Sequence, residues 1–137
     1  MPRITDYLHE HVDERQRILH YNERYIFFRW GAETGNHGVF GSMGAELTAG
    51  RSVALDKALY PLGLPAFLDS WQPAAVDSET APPPQPLRRF VAHQDSGAAI
   101  TGPGRLDLFW GRGAEAEKAA GVMKQPGRLY LFVRKPR

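Results

Sequence analysis

Gln94-Asp95-Ser96-Gly97-Ala98-Ala99-Ile100-Thr101-Gly102-Pro103-Gly104-Arg105-Leu106-Asp107-Leu108-Phe109-Trp110-Gly111 sets two carboxylates twelve positions apart across a run of small residues. The second carboxylate lies inside Leu106-Asp107-Leu108-Phe109-Trp110, an apolar run that reads as a strand. Strand alternation points such an aspartate to solvent; a semi-apolar cleft would instead raise its pKa and make it a proton donor. Both readings stand at this point. Gly97, Gly102 and Gly104 let the backbone adopt positive φ or pass close to a ligand, and they equally suit strand crossovers. No Lys-Ser/Thr follows at the offset a phosphate loop needs.

Working outward, residues 89–94 read as the strand leading into this stretch, and residues 52–55 and 66–69 as two more short strands. Pro61-Leu62-Gly63 is a tight connection. Residues 72–86 hold Pro82-Pro83-Pro84 and little apolar material, so they predict a surface loop. Residues 31–50 are glycine-dense, and the aromatic run 25–30 predicts a first strand. After the quoted stretch, residues 113–123 predict a helix, Gln125-Pro126-Gly127 a turn, and residues 129–133 the last strand. At the other end, residues 4 to about 21 predict one amphipathic helix capped by Thr5 or Asp6. Short strands, Gly/Pro turns and one late helix predict a mainly β fold, a small barrel.

The 137 residues suffice for one packed core, and no apolar stretch approaches a membrane span. There is no cysteine, which removes disulfides and thiol chemistry. A net charge of +2 and an isoelectric point of about 9.1 are too mild to argue for nucleic acid. The basic end Arg134-Lys135-Pro136-Arg137 reads as solvated. His9-Glu10-His11 looks metal-like, but two histidines two apart diverge on a helix, so a solvated face is expected. No metal or organic cofactor is implied. Met1-Pro2-Arg3 runs straight into the polar helical segment, without the apolar core of a signal peptide or a lipobox cysteine.

Three blocks together resemble the three-aspartate (3D) domain at the C-terminal end of the membrane-bound lytic transglycosylase A family. The first runs from Gly41-Ser42-Met43-Gly44 through Asp56, followed by Tyr60-Pro61-Leu62-Gly63-Leu64-Pro65; the second is Asp95 to Gly111; the third is Met123-Lys124-Gln125-Pro126-Gly127-Arg128-Leu129-Tyr130. The resemblance implies a double-psi β-barrel over residues 25–137, complete or incomplete in this chain. Residues 1–24 would then be a helical segment resembling the end of the family's inserted domain. It further implies cleavage of the β-1,4 bond between N-acetylmuramic acid and N-acetylglucosamine without water, leaving a 1,6-anhydromuramoyl end. Asp107 matches the family's single catalytic acid/base and Asp95 a neighbouring aspartate of the same groove. Asp56 matches the third aspartate, with a structural or orienting part; Lys124 and Gln125 fall in a family block whose polar side chains would line the groove, and Gly97 and Gly102 would let the backbone pass close to a sugar. The implied partner is peptidoglycan, with no nucleic acid and no metal. The implied compartment is the periplasm or cell envelope.

His93 and Ala98 depart from the family pattern beside the groove, and His93 is placed to hydrogen-bond an aspartate. Asp-Ser-Gly alone would read as a local turn, and Trp110 as core or as a platform for a sugar face. For Asp107 to hold a proton near neutrality, burial beside Leu106, Leu108 and Trp110 and the negative Asp95 would both have to push its pKa up. The family is about twice as long or longer, which leaves two other readings: a non-catalytic glycan-binding module and an inactive remnant. A second copy that completes the barrel is a further expected partner.

Overall fold

A computed structural model describes residues 2–25, 27, 38–73 and 84–135, and the chain divides into two compact units, residues 1–35 and 36–137. Most of the strand expected at 25–30 lies outside the described residues, as do residues 31–37, most of the proline-bearing loop (74–83) and the last two residues of the basic end.

The first unit replaces the expected single helix with two, α1 (Pro2–Glu10) and α2 (Val12–Leu19). The break falls at His11, whose backbone leaves the helical region at φ −118° and ψ 68°. Side chains add bonds to carbonyls of the last turn of α1. Arg15 Nε donates to the Leu8 carbonyl at 2.9 Å, and His11 Nδ1 lies 3.0 Å from the Tyr7 carbonyl. The His11 ring also stacks on Tyr7, with centroids 4.0 Å apart. Thr5 and Asp6 fall inside α1 rather than at its cap, because the helix already begins at Pro2, where a missing N–H costs nothing.

The second unit is a five-stranded mixed sheet: β1 (Ser52–Ala54), β2 (Pro65–Trp71), β3 (Pro86–Asp95), β4 (Asp107–Leu108) and β5 (Arg128–Leu131), with α3 (Ala114–Val122) before the last strand. The order is β4-β1-β3-β2-β5, parallel only between β1 and β3. β2 and β3 form the longest ladder, from Pro65 opposite Ala92 to Trp71 opposite Pro86. The unit is mainly β, and among the described residues the sheet does not close, so the architecture is an incomplete barrel.

Alternation sorts the two faces of β2 and β3. Leu87, Val91, Ala66 and Leu68 turn inward and, with Val53 and Leu55, form the core; Tyr60, Leu106, Leu108, Trp110, Met123 and Leu129 pack against it. Trp110 thus joins the core edge. On the opposite face the rings of Phe67, Phe90 and Phe132 form a chain with centroids 5.2 and 5.7 Å apart, beside the Arg88–Asp69 ion pair at 2.8 Å. β1 is buried along its whole length between its neighbours β3 and β4.

Strand β4 is shorter than the expected 106–110. Its partner β1 has three residues, and only Leu108 and Asp107 find ladder positions, opposite Val53 and Ala54. Phe109 instead exchanges backbone bonds with the entry to β1, donating to the Ser52 carbonyl at 3.0 Å and accepting from Gly50 N–H at 2.7 Å.

The two faces of β3 predict opposite mutational costs. Leu87 is 0 % exposed and Phe90 63 %. Leu87→Ala will cost about 2–5 kcal/mol in urea unfolding, whereas Phe90→Ala will cost clearly less because most of its ring is already in water.

Candidate functional site

Ala54 stands between the two aspartates of the opening stretch. On one side it faces Asp107 of β4, on the other Asp95 of β3. Residues opposite one another in a sheet share a face, so both carboxylates rise on the same side, with backbones two strand spacings or about 10 Å apart.

This arrangement depends on a register shift. Val53 faces His93 but Ala54 faces Asp95, so Gln94 is an extra residue in β3. Without it, alternation would put Asp95 on the face occupied by His93; with it, Asp95 turns to the face of Ala54. The extra residue is tied down from both ends. Its carbonyl accepts the Met43 N–H at 3.2 Å, and its Oε1 accepts the Ser52 hydroxyl at 2.6 Å. Ser52 is 1 % exposed, and its Oγ accepts the Thr48 N–H at 2.8 Å. Beyond the bulge, Asp95 Oδ1 accepts the Ser42 N–H at 2.9 Å, and the Ser96 hydroxyl donates to Ser42 Oγ at 3.0 Å. Asp95 is therefore fixed by a residue 53 positions away, not by its own turn. The loop that reaches it folds back through a Phe40–Glu46 bridge. It can approach because residue 41 is glycine, where a Cβ would sit 2.3 Å from the Gln94 carbonyl oxygen.

The row opens on a cleft of about 270 Å³ lined by Asp95, Asp107, Gly97, Ser52 and Ala54, with Leu47, Ile100, Leu108 and Phe109 as its apolar walls. A larger cavity of about 420 Å³ lies between Trp110 and α3 but contains neither aspartate. Chemistry, not size, selects the first.

Of the two settings left open for Asp107, the structure shows the one that strand alternation points to. Its side chain is 52 % exposed and bonds Arg105 Nε at 3.3 Å, because the alternation that sends Leu106 and Leu108 to the core sends Asp107 the other way. Asp56 and Gly102 are bonded to each other rather than set in the cleft. Asp56 Oδ2 accepts the Gly102 N–H at 2.7 Å and its Oδ1 the Ala58 N–H at 2.9 Å. These two donors, Gly102 foremost, hold the Asp56 carboxyl below the ordinary 3.8. Gly102 adopts φ +81°, which favours glycine. Lys124 and Gln125 lie just before β5, outside the cleft, where the Lys124 N–H donates to Gln125 Oε1 at 2.9 Å. Among the described residues His93 bonds no aspartate: it is fully buried with Nδ1 3.0 Å from the Pro61 carbonyl. Ala98 is exposed.

Among the described residues no three His, Asp or Glu side chains group as a metal site, and no helix is long and apolar enough to cross a membrane. Ser42, Ser52, Ala54 and Gln94 escaped the reading of the sequence. A lone glutamine before an aspartate carries no mark of a bulge.

Residues 51–133 match the family model of the 3D domain. Among solved structures, the chain is similar to the lytic transglycosylase LtgG of Burkholderia pseudomallei, at 38 % identity over 93 % of this chain and 36 % of that one, with a TM-score of 0.61. A membrane-bound lytic murein transglycosylase from Agrobacterium tumefaciens matches at 32 % identity over 95 % of this chain and 34 % of that one, TM-score 0.70. MltA from Neisseria gonorrhoeae matches at 31 % identity over 93 % and 30 %, TM-score 0.70. The chain spans about a third of the length of these structures. No curated protein matches it.

The Asp56 tether predicts an acid-side signature. A carboxyl held below 3.8 in the fold contributes its full stability above that value and loses it as pH falls through the lowered value. The difference in Tm between the unsubstituted chain and Asp56→Ala will therefore be largest at neutral pH and shrink progressively below about pH 4.

Proposed function

The chain belongs to the 3D-domain family, and from that premise we propose that it is the C-terminal catalytic portion of a peptidoglycan lytic transglycosylase acting in the cell envelope. Its proposed reaction cuts the bond between N-acetylmuramic acid and N-acetylglucosamine without water. The observation that carries this reading is the Asp95–Ala54–Asp107 row at the mouth of one cleft.

Asp107, protonated, gives its proton to the glycosidic oxygen as the C1–O bond breaks. The C6 hydroxyl of the same muramic acid then attacks C1 and returns its proton to Asp107, which leaves a 1,6-anhydro ring and restores the acid. The hydroxyl is already tethered, so one carboxyl suffices where hydrolases need two. A glycan laid along the Leu108 and Phe109 wall would exclude water from the cleft around Asp107. The same glycan must part Asp107 from Arg105, an exposed pair that resists weakly. Asp95, with Oδ1 held by Ser42, has its second oxygen available for a sugar hydroxyl. In this reading Gly97 gives the glycan close access, while Asp56 with Gly102 sets the loop, and Lys124 and Gln125 serve more distant sugars.

A second reading, a non-catalytic glycan-binding module, draws on the half-exposed state of Asp107. Mass-resolved analysis of material released from purified peptidoglycan separates the two. Anhydromuramoyl products are expected from the unsubstituted chain, and at least about 10²-fold less from Asp107→Asn, the share a general acid contributes. Equal release by both proteins overturns the assignment of Asp107. A folded chain that binds peptidoglycan and releases nothing is the binding module.

A further inference from the structure

We infer that the exposed aromatic face of β2, β3 and β5 is a platform for the glycan strand beyond the cleft, with the Phe90 and Phe132 rings stacking on its sugars. The inference deepens the transglycosylase reading and rests on it for the identity of the substrate.

Register puts the platform and the carboxylates on one face of the sheet. Ala54 faces Asp95, and two residues earlier Ser52 faces Ala92. Ala92 and Phe90 lie on that same face by alternation, and Phe90 faces Phe67, which faces Tyr130. Between Asp95 and Phe90 lie about 15 Å of strand, a span of a few sugars. The way between them passes half-buried Ala92 and exposed Pro65, both with short side chains.

Phe90 is 63 % exposed and Phe132 48 %, an apolar patch of the kind that marks a binding surface. Their centroids are 5.7 Å apart with planes inclined by 35°, so the two rings stand side by side as a gently turned surface. Phe67 meets Phe90 at 74° and props it from β2. The C–H faces of a β-linked sugar are apolar and weakly positive, which suits the negative faces of such rings. The next row along the strands supplies the polar complement. There Arg128 and Arg88 flank Asp69, two guanidinium groups against one carboxylate. The row offers donors to hydroxyl and N-acetyl oxygens, and its surplus positive charge matches the carboxylates of muramic acid and its stem peptides.

The test is calorimetric binding of β-1,4-linked N-acetylglucosamine oligomers, from disaccharide to hexasaccharide, to the full chain. These oligomers lack muramic acid, so the proposed reaction does not cut them. Affinity is expected to rise with length in the unsubstituted chain. Phe90→Ala and Phe132→Ala will each lose that rise, binding the hexasaccharide about tenfold more weakly, the worth of one aromatic contact. Phe90→Trp keeps a ring and will keep the affinity; Phe27→Ala, an exposed ring of the other unit, will change nothing. Both platform positions are exposed, and a cooperative thermal transition certifies that each variant is folded. A hexasaccharide bound equally by the folded alanine variants and the unsubstituted chain overturns the inference, as does an affinity that does not rise with length. Self-association in sedimentation that Phe90→Ala abolishes, with oligomer binding untouched, gives the face to a second copy and overturns it too. A chain that releases no anhydromuramoyl products but loses hexasaccharide affinity in Phe90→Ala keeps the platform and loses the transglycosylase reading. One that releases them and binds equally with and without the ring keeps the reading and loses the platform.

Discussion

Side chains of a β-strand alternate from face to face, and Asp95 reaches the face of Asp107 only because β3 breaks that alternation once, at Gln94. The rest of the second unit can be read as support for this irregularity. Ser52 and Met43 hold the extra residue, Ser42 holds the carboxylate beyond it, and Gly41 leaves room for the loop to come in. The parallel pairing of β1 with β3 and the antiparallel pairing of β1 with β4 then bring three strands to one row. Ala54, at the centre, carries a methyl group and leaves the space above it open.

The support is polar where the site is and apolar where it is not. The core of Val53, Leu55, Ala66, Leu68, Leu87 and Val91 lies against the inward face, and the hydrogen-bonded groups gather at the end of β3. Asp56 is part of the same economy of position. It stands after Leu55, at the end of the strand it follows, and clamps Gly102 in the loop between the two aspartates. One carboxylate of the three is thus spent on fastening the segment that carries the other two. His93, buried with Nδ1 on the Pro61 carbonyl, fixes the neighbouring turn, whose Gly63 N–H donates to the His93 carbonyl at 2.7 Å.

Much of this fold was legible in the sequence because period-two alternation and Gly/Pro punctuation are local signals. The strands at 52–54, 86–95 and 128–131 and the helix at 114–122 all lie where composition put them, give or take their ends. The first helix was read as continuous because nothing in residues 4–21 breaks a helix by propensity; the break at His11 comes with side-chain bonds to carbonyls of the preceding turn. The residues around Asp107 left two settings open, and the structure shows the outward one that strand alternation points to, not the semi-apolar cleft that the motif favoured. The two aspartates stood out in the sequence, and in the structure they line one cleft. The means of bringing them together was not visible, because a bulge is a property of two strands and Ser52 lies far from Gln94 along the chain.

The distances along the chain also bear on how the protein comes into being. The bonds that build the carboxylate row join residues 42 and 53 positions apart, whereas the β2–β3 ladder begins where Trp71 meets Pro86 across a much shorter loop. Closing a longer loop costs more entropy, and contacts of high sequence separation slow the search for the native state. The hairpin is the cheaper contact of the two. The two aspartates therefore share a cleft only once β1 and β4 have docked on the hairpin, so the row is a property of the completed sheet and of no nascent segment.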